Sequence, residues 1–382
     1  MTLKDSSRDL NSLKGISSFV LVVALLAATF TGVAQSNPVG AESLSSWSAT
    51  TPYPVKMSKP SCIVYSDHIY CVGGHTGADD SDSVYYASVS STGIGSWTPT
   101  TAYPNRIAVQ SCVVYSGYIY CIGGASRFDY LETVYYAPVS SSGVGSWTLG
   151  KPYQIAVGDQ SCAVTSGSLP ATGYIYCIGG FTGLDYSDAV YYAEVTRLGP
   201  GSWTATTSYP SKISVQSCAI SSGYIYCVGG FTGTEYSDGV YYAPVSPSGA
   251  GSWTRTAPYP VAILDPSCTI SSGYIYCVGG WTSYSSTSNS VYHAPVSSTG
   301  VGSWAATTAY PTPIADESCA ASSGYVYCVA GETGSVISNA VYYSEVNAPL
   351  SQTHLQQSRP PARILFWRLS YLSREGWSGT SF

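Results

Sequence analysis

A segment of about 50 residues occurs six times in this 382-residue chain and limits the possible folds more than any other feature. Each copy opens with Ser-Trp and continues through Ser-Cys and Tyr-Cys to Val-Tyr. The opening tryptophans are Trp47, Trp97, Trp147, Trp203, Trp253 and Trp304. Repeats of this length usually form one structural unit each, and the units pack side by side into a larger domain.

Each repeat predicts four short strands. For one repeat these are Ser111 to Tyr115, Tyr118 to Gly123, Thr133 to Val139 and Ser146 to Thr148, separated by turns that contain Gly, Ser or Pro. Charged residues make up 9% of the chain, against about a quarter in typical domains, which favours short strands over solvated helices. The repeats therefore predict an all-β, six-bladed β-propeller with four-stranded antiparallel blades.

Residues 42–347 resemble Kelch repeats, which form propellers of the galactose-oxidase type. The resemblance rests on the Gly-Gly pair that ends the second strand, the Tyr of the third strand and the Trp of the fourth. It departs at Ala330-Gly331, which replaces Gly-Gly, at His293, which replaces the second Tyr, and in the cysteine pair of each repeat. The resemblance implies that the first strand of every blade lies beside a central channel.

The phase of the repeat predicts how the ring closes. The first copy begins with a fourth-type strand around Trp47, whereas the last copy ends with a third-type strand, Val341 to Val346. We therefore expect the N-terminal strand to join the last blade, which ties the two ends of the domain together and removes an exposed edge.

All twelve cysteines lie in the repeats, two to a copy. A two-residue turn at Ser116-Gly117 would place Cys112 opposite Cys121, in a non-hydrogen-bonded pair whose close approach accepts a cross-strand disulfide. The third copy has extra residues, Ser168 to Gly173, but their even number keeps the register. The predicted disulfides are Cys62–Cys71, Cys112–Cys121, Cys162–Cys177, Cys218–Cys227, Cys268–Cys277 and Cys319–Cys328.

Zinc binding is the competing explanation for the cysteines. Their spacing, the lack of Cys-x-x-Cys and the presence of only three histidines in the repeats argue against it. Residues 1–34 favour disulfides as well, because they have the pattern of an export signal that ends at Ala34. We expect a secreted protein, and the alternative is an uncleaved anchor with the propeller outside the membrane.

The charge of the repeats limits the partners. Between Glu42 and Val346 there are eighteen Asp or Glu and eight Lys or Arg, a net charge of −10. Nucleic acids and anionic membrane surfaces bind clustered positive charge, so neither is expected as a partner, and only the alternative anchor would contact a membrane. We expect a monomer. Residues 348–382 lose the repeat and are expected to be an unstructured basic tail.

Charges and aromatic rings gather in the loops between second and third strands and in the segments that lead to the next blade. Both sets lie on one face of an antiparallel blade, and they hold fourteen of the eighteen acids. The residues expected to ring the channel mouth are Gln110, Asp159, Gln160, Gln216, Asp265, Asp316 and Glu317. Further candidates in these loops are Asp185, Tyr186, Tyr236, Trp281 and Tyr284. Longer loops also collect charge through solvation alone, and that alternative stays open.

Carboxylates and amides beside aromatic rings suit a neutral glycan, a peptide or a protein, so we expect a binding module without a cofactor. The alternative is a carbohydrate-active enzyme in which Asp265 and Asp316 approach each other at the channel mouth. Some Kelch-like propellers are enzymes, including copper radical oxidases and sialic acid epimerases, so the resemblance leaves the question open. The few histidines argue against a copper oxidase, and calcium is a further alternative for the acids, although no loop has EF-hand spacing.

Overall fold

The computed structural model describes residues 43–127, 129–166 and 172–347. The strands of these residues form six small antiparallel sheets, and the first strand of each sheet contacts the first strands of two neighbouring sheets, so the ring is closed. This confirms the predicted all-β, six-bladed propeller. The described residues contain no helix, and hence none that could cross a membrane. The predicted signal and basic tail lie outside the described residues and stay predictions.

Each blade has three long strands, counted from the channel outwards. The first strands, which number the blades 1 to 6, are Ser61–Tyr65, Ser111–Tyr115, Ser161–Ser166, Ser217–Ser221, Ser267–Ser271 and Ser318–Ser322. The second strands are His68–Val72, Tyr118–Ile122, Gly173–Ile178, Tyr224–Val228, Tyr274–Val278 and Tyr325–Val329. The third strands are Val84–Ser90, Val134–Ser140, Val190–Thr196, Val240–Ser246, Val291–Ser297 and Val341–Asn347.

The fourth strand of every blade is split into two pieces, where the sequence predicted one run such as Ser146 to Thr148. In blade 2, Val144 pairs with Val139 and Thr148 pairs with Tyr136. The fourth strand thus advances four residues while the third advances three, and the extra residue forms a β-bulge. The first pieces are Gly93–Ile94, Gly143–Val144, Gly199–Pro200, Gly249–Ala250, Gly300–Val301 and Ser43–Leu44. The second pieces are Thr98–Pro99, Thr148–Leu149, Thr204–Ala205, Thr254–Arg255, Ala305–Ala306 and Ser48–Ala49.

Three of the loops between second and third strands contain a small hairpin of their own. These hairpins are Ala125–Ser126 with Asp129–Tyr130, Trp281–Ser283 with Ser286–Thr287, and Glu332–Thr333 with Val336–Ile337. They belong to blades 2, 5 and 6, so the loops differ from blade to blade although the strands beneath them repeat.

The N-terminal strand completes blade 6, as the phase of the repeat predicted. Ser43–Leu44 and Ser48–Ala49 both pair with the third strand Val341–Asn347. Leu44 is only 2% exposed and lies in the core between blades 5 and 6. The N-terminal segment thus covers the outer edge of the last blade's third strand, which would otherwise offer unpaired backbone groups.

Every cysteine is paired within its own blade, as predicted. In blade 2, Ser116 and Gly117 have φ angles of 50° and 81°, the left-handed values that the tightest hairpin turns require. This turn places Cys112 opposite Cys121 with a Cα–Cα distance of 4.1 Å, as expected of a non-hydrogen-bonded pair. Six such disulfides indicate an oxidising, extracellular environment.

Tyrosines of the second and third strands join neighbouring blades. The Tyr120 hydroxyl of blade 2 donates to the Thr196 carbonyl oxygen of blade 3 at 2.7 Å, and Tyr70, Tyr226 and Tyr327 make the equivalent bond. Tyr120 also stacks on the third-strand Tyr136, with ring centroids 5.9 Å apart. These rings are therefore part of the blade interfaces.

Ring closure can be tested with a matched pair of leucine substitutions. Leu44→Ala removes a buried side chain from the closing strand and should lower the free energy of unfolding by about 2–3 kcal/mol. Leu198→Ala, at a turn where the side chain is 90% exposed, should change it by less than about 0.5 kcal/mol. Urea unfolding of the oxidised proteins measures both values, and equal stabilities would contradict the packing of the closing strand.

Candidate functional site

Two sets of loops meet on one face of the propeller, here called the loop face. They are the loops between second and third strands and the segments that lead from a fourth strand to the next first strand. Short backbone bridges join them, for example Ser58 to His75 in blade 1 and Gly158 to Phe181 in blade 3. The sequence analysis placed these loops together, and the structure does the same.

Six residues, one from each blade, surround the channel mouth on this face and form what we call the inner ring. They are Lys59, Val109, Asp159, Val215, Asp265 and Asp316. All six have φ between 49° and 57°, a left-handed conformation that valine rarely adopts. Backbone bonds explain it, because the Asp159 N–H donates to the Val109 carbonyl at 3.0 Å and the Val215 N–H donates to that of Asp159 at 2.9 Å.

Lys59 is the residue of this ring that the sequence analysis missed. Its Nζ lies 3.0 Å from Asp159 Oδ1, 3.5 Å from Asp265 Oδ2 and 3.8 Å from Asp316 Oδ1, so one ammonium contacts carboxylates from blades 3, 5 and 6. The signal was its position two residues before Ser-Cys, where the three aspartates also stand. We had counted it only among the basic residues of the loops.

The groups of the inner ring shift one another's pKa values. Burial raises the pKa of Asp265 well above its usual value, Lys59 opposes this, and Asp316 adds to the rise. Burial acts in the same direction on Asp316, but Lys59 and Asp265 hold its pKa below the usual value. Burial would lower the pKa of Lys59, yet the three aspartates raise it. Of these two aspartates, Asp265 therefore binds a proton more readily than Asp316.

Glutamines follow the inner ring in blades 2, 3 and 4. The amide Nε2 of Gln110, Gln160 and Gln216 donates to the last carbonyl of the preceding blade's second strand, at 2.7 Å in each case. Their Oε1 atoms are buried and have no hydrogen-bond partner. The same side chains line a cavity of about 130 Å³ at the channel mouth. Buried polar atoms are normally paired, so these three glutamine oxygens, in side chains beside the cavity, are exceptions.

Glu317 takes the place of these glutamines in blade 6. Both its carboxyl oxygens are buried without a partner, and burial raises its pKa to about 8. Its Oε1 lies 2.9 Å from the position that a Cβ would take on Gly279, the residue after Val278. Gln110 Nε2 lies 2.8 Å from the equivalent position on Gly73, the residue after Val72, so the two side chains occupy matching places in their blades. A protonated Glu317 can therefore donate to the Val278 carbonyl as the glutamines do in their blades.

The protonation of Glu317 can be tested through the pH dependence of stability. Its carboxyl pKa is about 8 in the folded chain against an ordinary 4.5, so the native state binds the proton more tightly and stability falls as the pH rises between these values. Glu317→Gln removes that loss and should be more stable than the parent by roughly 2–4 kcal/mol at pH 8.5, with little difference at pH 5.

Urea unfolding at the two pH values measures the effect, and Gln216→Glu is the matched reverse variant. The free energy of unfolding of Gln216→Glu should fall below that of the parent at pH 8.5 and should mostly return to it at pH 5. A parent and a Glu317→Gln protein with the same pH profile would show that Glu317 is ionised throughout.

Aromatic rings border the mouth along blades 2 to 5 and form what we call the aromatic arc. Its members are Tyr130, Phe181, Tyr186, Phe231, Tyr236 and Tyr284. Consecutive rings lie 4.8–5.9 Å apart between centroids. Trp281 connects the arc region to the mouth, because its Nε1–H donates to Asp316 Oδ2 at 3.4 Å. Tyr284 is 86% exposed at the end of the arc.

The opposite half of the loop face is polar. His75 Nδ1 lies 3.0 Å from Asp80 Oδ1, and the Arg127 backbone N–H donates to Asp80 Oδ2 at 2.6 Å. Asp79 pairs with the Arg106 guanidinium nearby. The loop face is therefore not six-fold symmetric, since aromatic rings fill one side and charged groups the other.

The structure brings most of the predicted site residues together. The seven expected at the mouth all line its cavity. Tyr186, Tyr236 and Tyr284 belong to the aromatic arc. Asp185 is different, because it pairs with Lys212 on the exposed loop and does not line the cavity. Its place in a binding site is not supported by this geometry.

The enzyme alternative needs two separated carboxyl groups. Asp265 and Asp316 do meet at the mouth, but they are hydrogen-bonded to each other and share the Lys59 ammonium. Glycosidases keep their two carboxyl groups roughly 5–9.5 Å apart, so that a nucleophile or a water fits beside the sugar. This pair lacks that spacing. Among the residues that the structure describes, no group of three His, Cys, Asp or Glu is placed to hold a metal ion.

Comparisons with known proteins support the fold alone. No protein-family model matches the chain, and no curated protein matches it in sequence. By contrast, 683 chains of solved structures match. One, described as "Structure of YjhT", has a TM-score of 0.61 and 13% identity over 76% of this chain and 95% of that one. The chain is thus similar in fold to that protein, and the Kelch likeness remains a resemblance in motifs.

Proposed function

We propose that this protein is an extracellular binding module whose loop face binds a neutral glycan, with the terminal sugar at the channel mouth. The observation that carries the proposal is the ring of carboxylate and amide side chains that lines the mouth, beside the aromatic arc, whose rings are half-buried except for the exposed Tyr284. Six disulfides support an extracellular site of action. The export signal expected in residues 1–34 agrees with that location.

The mouth suits a ligand rich in hydrogen-bond donors. Carboxylate oxygens accept but cannot donate, and Lys59, the one lysine among the described residues that line the cavity, already contacts three carboxylates. Sugar hydroxyls are donors that can satisfy several acceptors in a small space. The cavity of about 130 Å³ is small, so we expect it to receive hydroxyl groups of one sugar unit rather than a whole chain.

The aromatic arc suits the remaining units of such a glycan. Sugar rings present faces of C–H groups, and these pack against aromatic faces while the hydroxyls stay hydrated at the edge. Tyr284 and Trp281 lie on the side of the arc where blade 5 meets the mouth. A glycan could therefore extend from the mouth across blades 4 and 5.

The other face of the propeller has few charged side chains, although a cavity of about 400 Å³ opens there beside Tyr174 and Ile220. Its turns satisfy their own hydroxyl groups, as where Ser297 Oγ lies 2.9 Å from Thr299 Oγ1. The same contact recurs between Ser140 and Ser142 at 2.8 Å. Fourteen of the eighteen acids of the repeats lie in the segments of the loop face instead.

A glycan array with the oxidised protein tests the proposal. Trp281→Ala, Tyr186→Ala and Asp265→Ala should each weaken the binding of an identified glycan by about tenfold or more, because each removes a stacking surface or a mouth acceptor. The melting temperature should barely change in the two aromatic variants, because both side chains are partly exposed in loops. Titration calorimetry measures the affinity.

Leu198→Ala and Ser298→Ala, both on the opposite face, are the control variants and should bind like the parent. If the three loop-face variants kept the affinity of the parent and the controls bound more weakly, the binding site would lie on the opposite face. Binding of a peptide library but of no glycan would make the module a peptide receptor.

A further inference from the structure

We infer that the sugar at the channel mouth carries a free amine, so that the ligand class of this site is an amino sugar with a protonated amino group. The inference rests on the part of the proposed function that places a glycan at the mouth, and it replaces the neutral terminal sugar by a cationic one. It follows from the charge at the mouth, from the kind of polar atom left unpaired there, and from the rings that stand beside Asp159.

The mouth has more negative charge than its lysine can neutralise. Three inner-ring aspartates face one ammonium, and Lys59 contacts a single oxygen of each carboxyl group. One proton on Asp265 still leaves two charged aspartates against one lysine. Glu332 lies in the neighbouring blade 6 loop and is a further acid near these groups. Burial raises its pKa, and the charges of Asp316 and Lys59 also affect it. Buried charge without a partner is costly, so a cationic ligand group would be favoured here.

The unpaired atoms are also of the right kind. An ammonium has three N–H donors and no acceptor, so it meets no repulsion from Gln110, Gln160 and Gln216 Oε1. A hydroxyl brings lone pairs that must face some of the same acceptors. An N-acetyl group brings a carbonyl oxygen, which would face the aspartate side chains that line the cavity. The ranking expected from these contacts is amine, then hydroxyl, then acetamide.

Two tyrosines of the aromatic arc lie near Asp159. Burial is the main cause that raises the pKa of Tyr130 and Tyr186, and the nearby Asp159 charge contributes to both shifts. Their rings are both packed on Phe181, with centroid distances of 5.4 and 4.8 Å. A cation next to Asp159 would therefore also be close to aromatic rings, which attract positive charge.

Three β-1,4-linked tetrasaccharides that differ only at carbon 2 test the inference. They are the tetramers of glucose, N-acetylglucosamine and glucosamine. At pH 6 and low salt the glucosamine tetramer should bind about tenfold more tightly than the glucose tetramer, and the N-acetylglucosamine tetramer should bind most weakly. Added salt should shrink the difference, because the charges at the mouth are partly exposed to solvent.

Asp159→Asn should weaken the glucosamine tetramer much more than the glucose tetramer, so that the two bind with similar affinity. Asp238→Asn is the matched control, because Asp238 is on the loop face but pairs with Arg255 away from the mouth. Asp238→Asn removes the same charge as Asp159→Asn. An equal loss of affinity for the glucosamine tetramer in both variants would therefore overturn a specific contact with Asp159 and attribute the binding to the overall negative charge of the domain.

Each outcome separates the inference from the proposed function. Equal affinity for the three tetramers, or an array hit on neutral glycans without any response to the glucosamine tetramer, overturns the amine and leaves the glycan module. No binding by any tetramer and no hit on the array overturns both. Preference for the glucosamine tetramer that Asp159→Asn abolishes and Asp238→Asn retains supports both.

Discussion

The structure depends on a closed circle of hydrogen bonds around the channel. In each blade the backbone N–H of the first cysteine donates to the serine hydroxyl of the neighbouring first strand, at 2.8–3.0 Å in all six cases. This N–H is available because the cysteines form non-hydrogen-bonded pairs, whose N–H groups point away from the partner strand. The same strand register therefore has two consequences. It brings the two cysteine sulfurs of a blade together, and it leaves the backbone N–H of the first cysteine free to donate to the neighbouring blade.

The circle also fixes where function can differ between blades. The residue two positions before each serine is held with a left-handed backbone, and its side chain is all that can change. Valine fills this position in blades 2 and 4, aspartate in blades 3, 5 and 6, and lysine in blade 1. Asp316 is buried and Asp159 and Asp265 are half-buried, so the three aspartates would repel one another without Lys59, and the single lysine makes the acidic mouth compatible with folding.

Much of the fold could be predicted from the sequence because its determinants are local. Strand alternation and a two-residue turn sufficed for the Cys112–Cys121 pairing, and the phase of Trp47 sufficed for the closure of blade 6. The split fourth strand was missed because a bulge of one residue leaves little trace in the pattern. The contacts of Lys59 were missed for another reason: its partners are at least 100 residues away, and only the curvature of the ring brings them within 4 Å.

The candidate site is asymmetric because the backbone repeats in all six blades, whereas the side chains of the loops differ from blade to blade. A symmetric ring would offer a ligand six equivalent poses, so the bound ligand would have no single orientation. Here the aromatic arc occupies blades 2 to 5, while His75, Asp80 and Arg127 make the other side polar. Lys59 reaches across the mouth toward Asp159, so the acceptors that remain are not evenly distributed either. A ligand with an apolar sugar face and a donor-rich end can satisfy both sides in one orientation only, and this single orientation would make the propeller selective.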